Sequence, residues 1–275
     1  MSISFFKDRR LPIAQNGLED KVTELNFSIL YYHYPHWDKE DDFQFFWEEE
    51  EDKTRKNKKP KKIKTLCGHT MRSNTDQNAF FPSAKLEGLV KDQKDVVEGL
   101  FPNSSTCFDL EVDGSMAIGL GISSVYETGI CLHHTYAVPY IPATAIKAVF
   151  RRYLEDEGNE SLVSSWLGFS DEETKNAAKG KITFFDAFPY KVKLAPDIIN
   201  SHYPKWYSDG KTPPADWQSP VPVFFMSLKD AKFQFAFALK EGSKEDLEEI
   251  KTKLTQALQN HGLGAKTAVG YGFFK

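Results

Sequence analysis

The segment with the most chemical content lies near the C-terminus: Gly262-Leu-Gly264-Ala-Lys266-Thr267-Ala-Val-Gly270-Tyr271-Gly272. Four glycines in eleven residues let backbone N–H groups turn toward a ligand without interference from Cβ atoms. Lys266 and Thr267 add a positive charge and a hydroxyl, a combination suited to a phosphate backbone. This is not a Walker A loop, because the two glycine positions that pattern requires are Ala265 and Asn260, and because the segment follows a helical stretch rather than opening one. A dinucleotide fingerprint fails too, since no βαβ unit follows. The competing reading is a tight turn into the last strand.

A second cluster is Pro139-Tyr-Ile-Pro142-Ala-Thr144-Ala-Ile-Lys147-Ala-Val-Phe-Arg151-Arg152. Thr144, Lys147 and Arg151 fall opposite an apolar stripe on a helix that starts at Pro142, a position where proline is favoured. Helix N-termini attract anions, so the first turn and Lys147 suit a phosphate, with Arg151 one turn on. The competing reading is an ordinary solvated helix face. Upstream lies Ser123-Ser124-Val-Tyr126-Glu-Thr-Gly129-Ile-Cys131-Leu-His133-His134-Thr-Tyr136, whose hydroxyls and rings suit RNA sugars and bases. Within it His134 and Tyr136 are candidates for base stacking, set against simple packing in a long loop.

The elements that must position these residues are readable from residue 107 onward. Cys107-Phe-Asp-Leu-Glu-Val alternates as a strand, and Ser115–Leu120 continues it after the Asp113-Gly114 turn. A long connection leads to the helix at Pro142, whose stripe is Ile146, Val149, Phe150, Tyr153 and Leu154. A short helix follows over Ser161–Phe169, then a strand over about 181–188, then a loop over 195–222 rich in Pro, Tyr and Trp. Two strands flank a charged corner at Lys229-Asp230, with Phe233, Phe235 and Phe237 on one face of the second. Ser243 and Asp246 form a capping pattern for a last helix with Leu247, Ile250, Leu254, Ala257 and His261 on its stripe, and Gly262 is its natural end. The order strand, helix, strand, strand, helix, strand implies an α+β protein: a single ferredoxin-like (RRM-like, βαββαβ) domain with long loops. That fold hosts many functions and does not settle the question alone.

The first third of the chain is less regular. Val22, Leu25, Ile29 and Tyr32 fit a helical stripe, so an N-terminal helical extension is expected. Five acidic residues, Glu48–Asp52, precede a run at 53–64 with eight Lys or Arg in twelve positions. Such blocks read as a flexible, solvated insertion over 48–64, with direct RNA contact as the alternative. A further helix is expected over Ser83–Phe101, with apolar positions Leu86, Leu89, Val90, Val96, Val97 and Leu100. Turn residues Pro102, Asn103 and Ser104 set a boundary between an extension over 1–104 and a core domain over 105–275.

Glu127-Thr-Gly-Ile-Cys-Leu-His-His-Thr-Tyr-Ala-Val-Pro-Tyr-Ile-Pro-Ala-Thr-Ala-Ile-Lys-Ala-Val-Phe-Arg151 resembles a segment of CRISPR RAMP proteins that reads approximately "tG…PyIPGSSlKGvlR". The glycine-rich segment 262–274 resembles the C-terminal loop of the same superfamily. Residues 202–228 are similar to the corresponding stretch of the sixth-subunit family of the type III-B (Cmr) effector complex. These stretches fall within 107–275. One departure is that Ala143 and Ala148 stand where the motif has glycine, which allows a less close backbone approach there. The resemblance implies a non-catalytic RNA-binding subunit near the end of a backbone filament, holding guide RNA toward its 3′ side and the paired target RNA, alongside other Cmr backbone subunits. It maps Lys147 and Arg151 onto the helix that lines the RNA path. It maps Lys266, with Thr267 and the glycines Gly262, Gly264 and Gly270, onto the loop beside that path.

The runner-up is a metal-independent endoribonuclease of the same superfamily that processes guide RNA precursor. Such cleavage needs a general base and acid, for which His36, His69, His133 and His134 are available. A third reading is an interaction module without RNA contact. Composition agrees with any of these: 40% hydrophobic and 27% charged residues, 22 Phe, and a net charge of −4 that disfavours coating nucleic acid with the whole surface while permitting a local basic groove. No apolar run has transmembrane or signal-peptide length, so no membrane is expected, and a cytoplasmic setting is; the resemblance implies no small-molecule substrate. Three separated cysteines, Cys67, Cys107 and Cys131, do not form a disulfide framework. The spacing Cys67-x-His69 and Cys131-x-His133 departs from zinc signatures, so no metal or other cofactor is expected.

Overall fold

A computed structural model describes residues 81–124, 128–170, 177–201, 203–215 and 221–275. The expected helix at Val22–Tyr32, the charged run at 48–64, Cys67 and His69 lie outside the described residues. The chain divides into two compact units, residues 1–80 with 134–137, and residues 81–133 with 138–275. In the first, the described residues are a turn in which His134, Thr135 and Tyr136 are exposed.

The second unit is α+β with an antiparallel sheet. It opens with α1 (Ser83–Leu100), followed by β1 (Ser105–Asp113) and β2 (Ser115–Met116). Next come α2 (Ala143–Asp156), a short α3 (Glu160–Leu162) that runs into a single wide turn at Val163–Leu167, and the small ribbon of β3 (Gly168–Ser170) and β4 (Ala177–Lys179). The rest is β5 (Ile182–Phe184), β6 (Phe188–Ser201), α4 (Pro204–Asp209), β7 (Val221–Leu239), α5 (Lys244–Asn260), a 3-10 turn at Thr267–Val269 and β8 (Phe273–Phe274).

The spine of the sheet is β7. Along one edge it pairs with β1, from Ser105↔Ala238 to Glu111↔Lys232, and then with β2 at Ser115↔Lys229 and Met116↔Leu228. Along the other it pairs with β5 and then with the whole of β6, from Phe188↔Gln234 to Ser201↔Val221. The last strand, β8, closes on the far side of β1 at Val112↔Phe274. Every one of these pairs is antiparallel, and the order across the sheet is β8-β1-β7-β6.

Side chains alternate between the two faces of a strand, so the phenylalanine triplet of β7 faces one way. Phe235 stacks on Phe108 at 5.7 Å and meets Phe274 edge-on at 5.3 Å, which ties β7 to β1 and β8. Phe184 opposes Phe237 and packs edge-on against Phe150 of α2, so α2 covers this face. Ile250, Leu254, Ala257 and Leu258 of α5 are buried, and α5 packs against α2, β1 and β8. Each fully buried Phe contributes about 1.5–3 kcal/mol by leaving water. On the opposite face Cys107 and Gln234 look toward α1. Its Lys94 and Glu98 act electrostatically on the Cys107 thiol, while burial is the main cause that pushes that thiol up. Leu86, Leu89, Val90 and Val97 bury the inner side of α1, whereas Val96 and Leu100 are exposed and leave the expected stripe.

Several local expectations change: the strand expected over Ser115–Leu120 ends at Met116, the one expected over 181–188 is interrupted between Phe184 and Phe188, and the helix expected over Ser161–Phe169 gives way to strand at Gly168. The corner at Lys229-Asp230 does not divide two strands: β7 runs through it, with Asp230 in the left-handed region at φ 47 and its carboxylate 2.7 Å from Lys193 Nζ. The distortion is absorbed by register shifts in β6 on either side of Lys191. The expected loop from 195 is strand as far as Ser201. Among the described residues β6 pairs in the sheet with β7 alone, and an edge strand tolerates the missing N–H of Pro196. The last helix begins as expected: Ser243 Oγ accepts from Asp246 N–H at 3.2 Å and Asp246 Oδ2 accepts from Ser243 N–H at 2.7 Å.

Candidate nucleic-acid interface

Three of the segments singled out by residue type are stitched side by side through backbone hydrogen bonds. Ala265 N–H of the glycine loop donates to Ala117 O just beyond β2, at 2.7 Å. One residue on, Ile118 O accepts from Cys131 N–H at 3.0 Å, and Cys131 O accepts from Tyr140 N–H at 3.4 Å. Ile141 then exchanges bonds with Ala187 at 2.9 and 2.8 Å, immediately before α2. The glycine loop, the connection after β2 and the start of α2 therefore form one continuous rim. Glycine is required where these backbones touch: a Cβ on Gly264 would lie 2.4 Å from Ala117 O, and one on Gly119 2.4 Å from Cys131 N.

At the start of α2 the donors are largely committed. Pro142 offers no capping side chain. Instead Asp186, from the link between β5 and β6, accepts Ala143 N–H at 2.8 Å through Oδ1. Ala145 and Ile146 N–H both turn back to Pro142 O. A carboxylate thus stands where the spacing suggested a phosphate, and it already complements the helix dipole. Thr144 is exposed on this turn and Lys147 is half-buried, with no carboxylate partner among the described residues. Arg151 is used structurally: its guanidinium donates to Gly168 O at 3.1 Å and lies 3.8 Å from Glu155. It pins α2 to the β3–β4 ribbon.

In the glycine loop, Leu263 N–H donates to Gly272 O at 2.7 Å and Gly272 N–H to Ser115 O at 2.8 Å, which closes the base. Gly262, Gly264 and Gly270 all have positive φ, as their positions in the loop demand. Lys266 does too, at φ 63, and its ammonium sits 5.2 Å above the Phe225 ring and 5.6 Å above the Tyr271 ring. A cation over two ring faces is held electrostatically. Tyr271 in turn donates its hydroxyl to Asp197 Oδ2. Burial, then the hydrogen bond to this carboxylate and its charge, push the Tyr271 phenol up to about 12. Thr267 is half-buried at the start of the 3-10 turn, and Ala268, Val269 and Gly270 are exposed.

His133 and Cys131 are also engaged. The His133 ring meets Tyr140 and Phe188 edge-on, at 5.4 Å from each. Burial is the main reason the Cys131 thiol is pushed up, with a hydrogen bond from Tyr140 opposing it. His134 and Tyr136 lie in the exposed turn described above and belong to the other unit. Residue type alone did not reveal Asp186, Asp197 or Phe225. Each is an ordinary strand or link residue whose role depends on a partner far away in sequence, 43 residues for Asp186 and Ala143 and 74 for Asp197 and Tyr271.

The chain is 30% identical over 218 residues to the CRISPR system Cmr subunit Cmr6 of Pyrococcus furiosus, a match covering 57% of this chain and 64% of that protein. The chain thus spans just under two thirds of that relative's length. It is 25% identical over 228 residues to the Cmr6 subunit of Saccharolobus solfataricus, covering 80% of this chain and 74% of that one. Among solved structures it is similar to a chain of the type III-B Cmr-beta complex bound to cognate target RNA, with a TM-score of 0.57 and 26% identity over 73% of this chain and 69% of that chain. The sequence model of the RAMP superfamily matches residues 109–275, from β1 to the last residue, and so takes in β1, α2, the β6–β7 pair, α5 and the glycine loop; the chain belongs to the RAMP superfamily.

Proposed function

We propose that this chain is a non-catalytic, RNA-holding subunit of a type III-B CRISPR effector ribonucleoprotein in the cytoplasm. It contacts guide RNA toward the 3′ side and the paired target at the end of the backbone filament, beside other Cmr subunits. The observation that carries this is the rim: the glycine loop, the connection after β2 and the start of α2 are joined by backbone hydrogen bonds along one side of a RAMP domain whose relatives are Cmr6 subunits. The strand order β8-β1-β7-β6, with α2 and α5 on one face, supports a ferredoxin-like core over 105–275. Residues 1–104 are its extension. Lys147 and Lys266 supply positive charge, Thr144 and Thr267 hydroxyls, and the loop backbone N–H groups. His134 and Tyr136 offer rings to bases, and Arg151 acts by pinning α2.

The test is binding of the purified chain to labelled single-stranded RNA at two salt concentrations, beside Lys147→Ala and Lys266→Ala, with EDTA present throughout. Binding that weakens with salt and in both variants, without cleavage, is the expected result. Cleavage that persists in EDTA overturns the non-catalytic reading. Unchanged affinity in both variants, with or without the neighbouring subunits, removes the rim as the RNA surface.

A further inference from the structure

We propose that Asp197 and Tyr271 are positioning residues for RNA: their hydroxyl–carboxylate bond tethers the glycine loop to β6 and holds Lys266 and the loop apex in the conformation that meets the RNA backbone. This rests on the RNA-binding reading above. The base of the loop is fixed by the backbone bonds of Leu263, Ala265 and Gly272 to Gly272, Ala117 and Ser115. Among the described residues the apex has only local ones, from Val269 and Tyr271 N–H to Lys266 O and from Gly270 N–H to Thr267 O. Val269 at the tip is 67% exposed. Tyr271 stands between Gly270 and Gly272, both at positive φ, so its backbone is flanked on each side by the residue that restrains a chain least. Its side chain supplies the restraint that the backbone lacks.

That restraint is well built. Asp197 uses both carboxylate oxygens, Oδ2 for the Tyr271 hydroxyl and Oδ1 for its own neighbour Ile198 N–H at 2.8 Å, so the acceptor is held in place. Asp197 also lies directly across from Phe225 in the β6–β7 register. One rung of the sheet therefore supplies both the carboxylate that holds Tyr271 and the ring beneath Lys266. The Tyr271 ring, 5.9 Å from Phe225, completes the seat for the ammonium. Releasing the hydroxyl loosens the Tyr271 ring beside Lys266 and lowers the fraction of loops that are competent to bind, which weakens apparent affinity in the same proportion.

The experiment uses Tyr271→Phe, which keeps the ring, and Asp197→Ala, which removes the acceptor, both in the full chain. Amide hydrogen exchange over 262–272 is measured without RNA, and binding to a single-stranded RNA is measured across a salt series. The expected results are faster exchange in the loop and a Kd raised about tenfold in either variant, as for loss of a hydrogen bond to a charged acceptor. The salt slope should stay at its wild-type value, because no phosphate contact is removed. The double variant should bind no worse than the single ones, because both break the same bond. Unchanged loop exchange overturns the tether. Faster exchange with unchanged RNA affinity overturns its role in positioning, and a reduced salt slope does so too by making one of these residues a direct contact. If the wild-type chain, assembled with its neighbouring subunits, binds no RNA, the functional reading falls and takes the RNA role with it, while the exchange measurement still decides whether the tether orders the loop.

Discussion

Asp186 offers a quantitative check on how the start of α2 is built. Its carboxylate takes the Ala143 N–H at 2.8 Å, and its backbone carbonyl takes Gln93 Nε2 of α1 at 2.6 Å. Because Pro142 stands at the capping position, Asp186 replaces the side-chain cap that Ser, Thr or Asp would supply locally. Asp186→Ala removes both the acceptor and the charge. The lost cap is worth about 1 kcal/mol, and the charge at a partly buried helix N-terminus about 0.3–1 kcal/mol, for a sum of roughly 1–2 kcal/mol. Asp186→Asn keeps an oxygen acceptor and loses only the charge, so it costs about 0.3–1 kcal/mol. Urea unfolding of the two variants against wild type reads these differences, with the alanine variant at the lower midpoint and the slopes unchanged. On the proposed RNA-holding role, neither variant is expected to weaken RNA binding, because the carboxylate opposes a phosphate at this turn. An unchanged midpoint in Asp186→Ala refutes the cap, and equal losses in both variants refute the division between hydrogen bond and charge.

Other outcomes follow from single features. Ser243→Ala breaks the capping box of α5 and lowers stability by about 1 kcal/mol in thermal or urea unfolding. Phe235→Ala, at the junction of β1, β7 and β8, costs about 3–5 kcal/mol, and Phe235→Leu costs less, measured the same way. Asp230 is held below the usual carboxylate range by its hydrogen bond from Lys193 and then by that charge. A depressed folded pKa stabilises above the unfolded value, about 3.9, and the gain is lost as pH falls through the folded one. Lys193→Met therefore flattens the acid side of the stability profile below about pH 4. Burial raises the Cys131 thiol, so iodoacetamide alkylates it more slowly than a free thiol at pH 8 in timed mass spectrometry, and a rate equal to the free thiol contradicts that burial.

What the sequence made legible was local. The stripe of α2 and the Ser243–Asp246 cap of α5 are periodic or short-range signals; the cap reappears at the same residues, and the stripe does so except at Val149, which is only half-buried. The phenylalanine alternation of β7 likewise matches the face that packs against Phe108, Phe274 and Phe184, although the opposite face is buried too. The misread parts share a cause. Lys229-Asp230 looks like a break because charged residues and a left-handed backbone usually end a strand, yet β6 pairs on both sides of it and carries the chain through. Residues 195–201 look like loop because of Pro196, and only the knowledge that β6 is paired on one edge makes a proline acceptable there. At the candidate interface, the glycine loop and Lys147 stand out by composition. Asp186, Asp197 and Phe225 do not, because each acts through a partner brought close by the fold.

The single length of β7 explains why the core and the candidate interface are coupled. Its C-terminal part, Phe233–Phe237, is buried under α2 with Phe108 and Phe274. Beyond the Asp230 distortion, the same strand carries Phe225 beneath Lys266, while β6 carries Asp197 opposite it. Had the strand ended at Lys229-Asp230, the Phe225 rung would hang on a hairpin of its own, and the seat of the loop would be set by flexible chain. A strand continuous through the distortion instead fixes that rung with the rigidity of the core. The distortion at Asp230, with the shifts around Lys191, lies between that rung and the phenylalanine face along the same strand pair. On this geometry, the position of the glycine loop is a property of the sheet as much as of its own glycines.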